Sequence, residues 1–236
     1  MPKALSNGNI ALVNGALFWA LESSGAVHDS SEKILFAAGY PITPVNEVTE
    51  YLGRISGLTD ISFIQAESEI AAGNMLLGAA SVDVPALTVT SSPGISLMQE
   101  AISYAAGMEL GGRGLVYVDV VRGGPGLGNI QGAQSDFNQA VLGGGHGDYQ
   151  NIVLAPASAQ EMFDLTRLAF KLSYQYRVPG FILSDGYVGQ LKEFYEIPDR
   201  IEPFEAFLSR DTRTSIYVRE GVLEEHNWKL FRRFEE

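Results

Sequence analysis

Two glutamates that follow a short apolar run are well placed in the sequence for proton transfer. The run ISFIQA (61–66) is typical of a strand, and Glu67 and Glu69 open the helical stretch ESEIAAGNMLLGAA. Carboxylates in the first turn of a helix are stabilised by the helix dipole, so both can be ordinary first-turn acids. Alternatively, one of them lies half-buried at the carboxyl edge of a sheet and shares a proton with a bound base.

Other polar side chains also follow apolar runs. Thr43 stands in GYPITP, where threonine is a good helix N-cap and Pro44 suits the first helical position, so a strand-to-helix turn is predicted there. Arg122 follows LVYVDVV and could clamp a carboxylate with two hydrogen bonds. From the residues alone, a surface ion pair is the favoured interpretation of this arginine. Ser91, Ser92 and Gly94 form a tight turn into a helix, SSPGISLMQE.

Several kinds of site are disfavoured by composition. The chain has no cysteine, which excludes thiolate nucleophiles and cysteine-ligated clusters and suits a cytoplasmic protein. Its three histidines lack metal-ligand spacing, and no Gly-x-Ser-x-Gly motif is present. The net charge of −12 argues against nucleic-acid and anionic-membrane partners. The apolar stretch 10–21 is too short for a membrane span and predicts a buried helix.

The elements that position these residues alternate between short apolar runs and helical stretches. Strands are predicted at 34–38, 61–66, 85–91, 115–121, 151–156 and 180–185. The clearest helix opens with the capping box Ser158–Glu161 and ends before Val178. This order predicts an α/β fold with a doubly wound, mainly parallel sheet and helices on both faces. Ligands bind such sheets at the carboxyl ends of the strands.

Glycine is concentrated after the run LVYVDVV. Twelve of the 26 glycines lie between Gly111 and Gly147, and we expect a lobe at the carboxyl edge of the sheet. The segment GGPGLG is neither a good dinucleotide fingerprint nor a Walker A loop. Part of Gly123–Gly132 is expected to be mobile without a ligand.

The motifs together are more specific than any one of them. GYPITP, QAESEIAA, SSPGISLMQE, VVRGGPGLGN, GGGHGDY and SDGYVGQ occur in this order. This series resembles the pyrimidine-binding domain of the thiamine diphosphate-dependent 2-oxoacid:ferredoxin oxidoreductases, nearest to the 2-oxoisovalerate and 2-oxoglutarate branch. The resemblance covers residues 7–192. It implies a thiamine diphosphate-binding fold of the pyrimidine type.

The resemblance also implies roles for individual residues. Glu69, rather than Glu67, would bond the aminopyrimidine ring of the cofactor and support proton transfer there. Thr43 would be a catalytic and substrate-contacting hydroxyl, and Arg122 would bind the substrate carboxylate. The remaining implied cofactor contacts are Pro41, Ser92 and Gly94. The motif departs from the commoner form at Val45 and Asn46, which implies a different substrate end of the pocket.

The implied protein is one subunit of a larger enzyme, inactive alone. It would oxidatively decarboxylate a 2-oxoacid to an acyl-CoA and reduce ferredoxin. The Gly-Asp-Gly segment that holds magnesium in this superfamily is not recognised in the chain, so magnesium and the iron–sulfur clusters are expected in partner subunits. Thiamine diphosphate would be shared with the diphosphate-binding subunit, and the isolated chain would self-associate.

The sequence leaves alternatives open for both the domain organisation and the function. Residues 1–192 are predicted to form the pyrimidine-binding domain, and residues 193–236 an extension toward a missing domain. The helical end without a cap predicts a truncated or naturally split chain. Rival functions are half of a non-oxidative thiamine-dependent decarboxylase or transketolase-like enzyme, and a non-catalytic nucleotide-binding or interaction module.

Overall fold

The structure, a computed structural model, describes residues 2–24, 34–110 and 113–199 of the chain. The helical end predicted for the chain lies outside the described residues. Within the described part, no helix is both long enough and apolar enough to cross a bilayer.

A six-stranded parallel sheet forms the centre of the molecule. Its strands lie in the order β3-β2-β4-β5-β7-β6 and all neighbouring pairs are parallel. The strands are β2 (Leu35–Gly39), β3 (Ile61–Gln65), β4 (Ala86–Thr90), β5 (Leu115–Val121), β6 (Ile152–Leu154) and β7 (Gly180–Asp185). All six agree with the strands expected from the apolar runs. β4 and β5 are buried along their whole length, which explains why those runs do not alternate.

Helices cover both faces of this sheet. The helices are α1 (Gly8–Ser24), α2 (Asn46–Ser56), α3 (Glu69–Ser81), α4 (Ser92–Gly107), α5 (Phe137–Val141), α6 (Ala159–Tyr176) and α7 (Gly186–Gln190). Helices α1, α2 and α6 pack with Val116, Val118 and Val120 in one hydrophobic core. Helices α3, α4 and α5 pack with Leu115 and Tyr117 in the other. The predicted doubly wound α/β architecture is therefore confirmed.

A small second sheet joins the two ends of the described chain. Strand β1 (Lys3–Asn7) pairs antiparallel with β8 (Lys192–Glu196). Tyr195 of β8 is buried, and its hydroxyl accepts a hydrogen bond from Asn14 Nδ2 at 2.6 Å. The sequence analysis did not find these strands, because both are short and mostly polar. The division of the chain at residue 192 stays a prediction, and residues 192–196 pair with the start of the chain.

Local start signals explain where α6 begins. The Ser158 hydroxyl accepts a hydrogen bond from the backbone N–H of Glu161, as the predicted capping box requires. The Glu161 carboxylate accepts from the backbone N–H of Ala157 at 2.8 Å. The helix ends at Tyr176, and its C-cap residue Arg177 adopts a left-handed conformation ahead of Pro179.

Candidate functional site

The carboxyl edge of the sheet brings together the residues expected to do chemistry. Strands β2, β4 and β5 are neighbours; Thr43 and Arg122 lie in the connections after β2 and β5, and Ser92 is the first residue of α4 after β4. Arg122 Nη1 donates to the backbone carbonyl of Thr43 at 2.8 Å. Ser92 Oγ accepts from the backbone N–H of Arg122 at 3.0 Å. Three separate chain segments thus meet at one place. Pro41 lies half-buried in the same connection as Thr43.

Arg122 is buried rather than paired on the surface. Only 6% of the residue is exposed, and its Nε lies buried without a hydrogen-bond partner in the described chain. No carboxylate among the described residues pairs with its guanidinium, so the favoured surface ion-pair interpretation was wrong. Instead the side chain crosses from β5 to the Thr43 turn. A buried guanidinium with an unused donor is suited to binding an anionic group.

Burial separates the two glutamates at the start of α3. Glu67 is exposed, whereas Glu69 is the first residue of the helix and only 7% exposed. The N-cap Ser68 accepts from the backbone N–H of Ala71 at 3.2 Å and fixes this first turn. The Glu69 carboxyl therefore lies near the positive end of the α3 dipole, at the carboxyl edge of the sheet.

Gly94 supplies the space beside the Glu69 carboxyl. A Cβ atom on residue 94 would lie 2.9 Å from Glu69 Cγ and 3.2 Å from Glu69 Oε1. It would also lie 2.1 Å from Thr90 Oγ1, a distance that no real contact allows. Helix α4 can therefore approach both groups only because residue 94 has no side chain. The α4 N-cap Ser91 does not cap its helix; its hydroxyl donates to the backbone carbonyl of Val120.

The predicted helix start at Thr43 was wrong. Helix α2 begins at Asn46, with Val45 at the N-cap position, and the Thr43–Pro44 peptide bond is cis. The backbone N–H of Val45 donates to the carbonyl of Ile42 at 2.8 Å, so the chain makes one more turn before the helix. Thr43 is exposed, and its hydroxyl lies 3.4 Å from Asn46 Nδ2. The Thr43 side chain is therefore exposed to solvent at the edge of the site.

A network of amide side chains fixes the turn that carries Thr43. Asn9 Nδ2 donates to the Pro44 carbonyl at 3.0 Å and to Glu47 Oε1 at 2.7 Å. Gln190 Nε2 donates to the same two acceptors at 2.7 and 2.6 Å. Sequence reasoning missed these residues, because they come from α1, α2 and α7 and only the tertiary fold brings them together.

Sequence reasoning also missed a buried acid in the centre of the sheet. Asp119 of β5 has no exposed surface and is paired in register with Thr90 and Leu183. Burial, and then the charge of Asp136 and the hydrogen bond between these two carboxyls, raises the pKa of Asp119 well above its usual range. The signal was present in LVYVDVV, where one aspartate interrupts an otherwise apolar strand.

The comparisons with known proteins identify the family. Residues 31–218 match the family model described as "Pyruvate flavodoxin/ferredoxin oxidoreductase, thiamine diP-bdg". The chain belongs to this thiamine diphosphate-binding family. The match contains all six strands of the central sheet and the residues Pro41, Thr43, Glu69, Ser92, Gly94 and Arg122.

Curated members of this family are similar over most of this chain. The ketoisovalerate oxidoreductase subunit VorB of Methanothermobacter marburgensis is 43% identical over 98% of this chain and 64% of its own length. The 2-oxoglutarate synthase subunit KorA of the same organism is 46% identical over 71% of this chain and 44% of its own. The chain thus spans less than two thirds of the length of these relatives.

A solved structure of the same family has the same fold. The 2-oxoglutarate:ferredoxin oxidoreductase from Magnetococcus marinus, with 2-oxoglutarate, coenzyme A and succinyl-CoA bound, superposes with a TM-score of 0.72 at 32% identity. The alignment covers 86% of this chain and 32% of that one. Both the resemblance inferred from the motifs and the fold expected from them are confirmed.

Proposed function

We propose that this chain is a subunit of a 2-oxoacid:ferredoxin oxidoreductase and contributes the pyrimidine side of a shared thiamine diphosphate site. The assembled enzyme oxidatively decarboxylates a 2-oxoacid to an acyl-CoA and reduces ferredoxin. The observation that carries the proposal is the buried Glu69 at the carboxyl edge of a sheet that belongs to this family. The family match also favours this function over a nucleotide-binding or interaction module.

The residues present fit the aminopyrimidine end of the cofactor. Glu69 offers a buried carboxyl group, which can hold a proton at a ring nitrogen. Gly94 leaves the approach to that carboxyl open, since any side chain there would occupy it. Ser92 and Pro41 border the same edge. When bound, thiamine diphosphate supplies a nucleophilic carbon for attack on the 2-oxo group.

Arg122 and Thr43 are suited to the substrate. The guanidinium is positioned by the donation from Nη1 to the Thr43 carbonyl, and in this proposal its terminal N–H groups bind the carboxylate of a 2-oxoacid. The exposed Thr43 hydroxyl can donate to the oxo or carboxylate oxygen. Hydrogen bonds from Asn9 of α1 and Gln190 of α7 to the Pro44 carbonyl fix the backbone of the turn that carries this hydroxyl.

The rest of the active site belongs to partner subunits in this proposal. Within the described residues, no group of three or more histidine, aspartate and glutamate side chains could hold a metal ion. Magnesium, which binds the cofactor diphosphate, and the iron–sulfur clusters are assigned to partners. Large apolar side chains at the carboxyl edge support a covered face: Ile70 is 50%, Tyr187 69% and Leu127 79% exposed. We place the complex in the cytoplasm.

Co-expression with partner subunits tests the proposed function. The purified complex should reduce ferredoxin only when a 2-oxoacid, CoA and thiamine diphosphate are all present. A panel of 2-oxoisovalerate, 2-oxoglutarate and pyruvate identifies the substrate, because their discrimination depends on pocket contacts shared between chains. Decarboxylation of every 2-oxoacid without ferredoxin reduction would instead indicate the non-oxidative alternative. No turnover of any 2-oxoacid by a complete, cofactor-loaded complex would overturn the proposal.

A further inference from the structure

A pair of aspartates lies beneath the glycine-rich lobe, here defined as residues 122–151, between β5 and β6. Asp119 projects from β5 with no exposed surface, and Asp136 stands at the N-cap of α5 inside the lobe. Both oxygens of Asp119 and one oxygen of Asp136 are buried, and no donor among the described residues reaches them. Their carboxyl groups nevertheless lie within hydrogen-bonding reach of each other.

Two ionised carboxylates cannot make this contact. A carboxylate has only acceptor atoms, so a hydrogen bond between two carboxyl groups requires a proton on one of them. Two unpaired negative charges at this depth would also carry a large desolvation cost. We propose that Asp119 and Asp136 share one proton at neutral pH and that this neutral–anionic pair anchors the glycine-rich lobe to the sheet. Asp119 and Asp136 are therefore positioning residues.

Among the described residues, no cation pairs with Asp119; Arg122, the next cationic residue along the chain, donates from its guanidinium to the Thr43 carbonyl instead. On β5 itself the nearest titratable group on the same face is Tyr117, whose phenol is buried and unpartnered in the described chain. Helix α4 covers this face with the apolar side chains Ile95 and Met98. On β7, Asp185 accepts from the backbone N–H of Val188 and caps α7. Asp136 itself comes from the lobe.

On the α3 side, Thr90 separates Asp119 from Glu69. Thr90 is the register partner of Asp119 on β4, and its hydroxyl lies beside Gly94 together with the Glu69 side chain. Tyr149 of the lobe faces Tyr117 from the other side and bonds the Gly144 carbonyl. Both are phenols, which stay protonated at neutral pH. The charged group that acts on Asp119 is therefore the carboxyl of Asp136.

The acid pair is linked through neighbouring residues to the part of the site that carries Arg122. Ser135, directly before Asp136, donates its hydroxyl to the backbone carbonyl of Arg122 at 3.2 Å. The backbone carbonyl of Asp136 accepts from Ala140, which is buried against the sheet. Loss of the Asp119–Asp136 bond therefore releases both the start of α5 and the contact on Arg122. This inference concerns the chain itself and does not depend on the proposed function.

Infrared spectroscopy of the full chain tests the shared proton. At neutral pH the parent should show a carbonyl stretch of a protonated carboxyl group, and Asp119→Asn should lose that band. Glu50→Gln, which changes an exposed carboxyl on α2, should retain it. A difference spectrum between parent and Asp119→Asn with no protonated-acid band would overturn the proposal.

Hydrogen exchange of the same variants tests the anchoring. Asp119→Asn keeps a neutral donor toward Asp136, so amides of residues 133–142 should exchange at nearly the parent rate. Asp136→Ala removes the bond from the lobe side, where folding of the sheet is least affected, and should raise exchange there about tenfold or more, while β4 and β5 stay protected. Asp119→Leu should act like Asp136→Ala. Unchanged exchange in Asp136→Ala would show that the pair does not hold the lobe.

Discussion

Burial distinguishes two residues that look alike in the sequence, Glu67 and Glu69. Glu69 lies at the first position of α3 with 7% exposure, while Glu67 faces solvent. We expect Glu69→Gln to lower kcat of the assembled enzyme by about 10²–10⁴-fold, because the amide cannot exchange the proton at the cofactor ring. Glu67→Gln is the matched control and should leave kcat unchanged. Equal losses in steady-state assays of the two variants would contradict the assignment of Glu69.

The absence of a side chain at Gly94 is a second residue-scale requirement. Gly94→Ala should lower the free energy of unfolding by about 1–3 kcal/mol, because the new methyl group collides with Thr90 Oγ1 and Glu69 Cγ. Gly78→Ala in α3 is the control, since no atom lies within 4 Å of the place its new methyl group would occupy; it should raise stability by about 0.5–1 kcal/mol. Urea unfolding measures both. A Gly94→Ala variant as stable as Gly78→Ala would contradict this prediction, because it would show that α4 can shift to accommodate the methyl group without loss of unfolding free energy.

The buried Asp119 predicts a pH dependence of stability with a definite sign. Its pKa is raised in the folded chain, so folding favours the protonated form. Its contribution is present at low pH and is lost as the pH rises from about 4, the ordinary aspartate value, toward the folded pKa. In the Asp119→Asn variant residue 119 cannot titrate, so the unfolding free energy lacks this contribution to its pH dependence. Unfolding free energies measured from pH 4 to pH 8 should therefore fall more steeply in the parent than in the variant; parallel curves would contradict the prediction.

Among the elements, the turn between β2 and α2 is held by several helices at once. Glu47 Oε1 accepts from Asn7, Asn9 and Gln190, which joins α2 to both ends of the described chain. Glu47→Ala leaves these amides short of an acceptor and should cost about 1–3 kcal/mol of unfolding free energy. Glu50→Ala, one turn away and exposed, should change it little. Equal unfolding midpoints for the two variants would show that the network contributes nothing.

Sequence patterns predicted the elements that bury apolar runs and missed those that depend on distant residues. The six parallel strands and the capping box of α6 were predicted because continuous apolar runs and Ser158 with Glu161 are local signals. Strands β1 and β8 have no such pattern, since each gains its partner from the other end of the described chain. The helix start at Thr43 was misplaced because the sequence Thr-Pro is compatible with a threonine N-cap and also with the cis-proline turn that the structure shows.

The candidate site, like the fold, was predictable only in part. Glu69, Arg122 and Thr43 follow strands, and strand order brings their segments together at one edge. The burial of Arg122 was not predictable, because it depends on the Thr43 carbonyl that the turn presents to it. The pairing of Asp119 with Asp136 likewise joins two segments through the fold of the lobe.

For the molecule as a whole, the exposed apolar edge is the reason to expect that another chain completes the proposed site. Ile70, Leu127 and Tyr187 flank the connections that carry Glu69 and Arg122. A cofactor bound here would meet protein at its pyrimidine end and solvent elsewhere. We therefore expect the isolated chain to self-associate, with like chains covering one another, and sedimentation velocity should show dimers or larger species.

Cofactor binding by the isolated chain tests this division of the site. Most of the affinity for thiamine diphosphate is expected from magnesium and the diphosphate, which in this proposal a partner subunit holds. Calorimetric titration of thiamine diphosphate with magnesium should thus give little or no heat with the chain alone and saturable binding with the reconstituted complex. The Glu69→Gln complex should still bind, because the diphosphate contacts remain. Micromolar binding by a chain shown to be monomeric would mean that one chain holds both ends of the cofactor, and the shared site would be wrong.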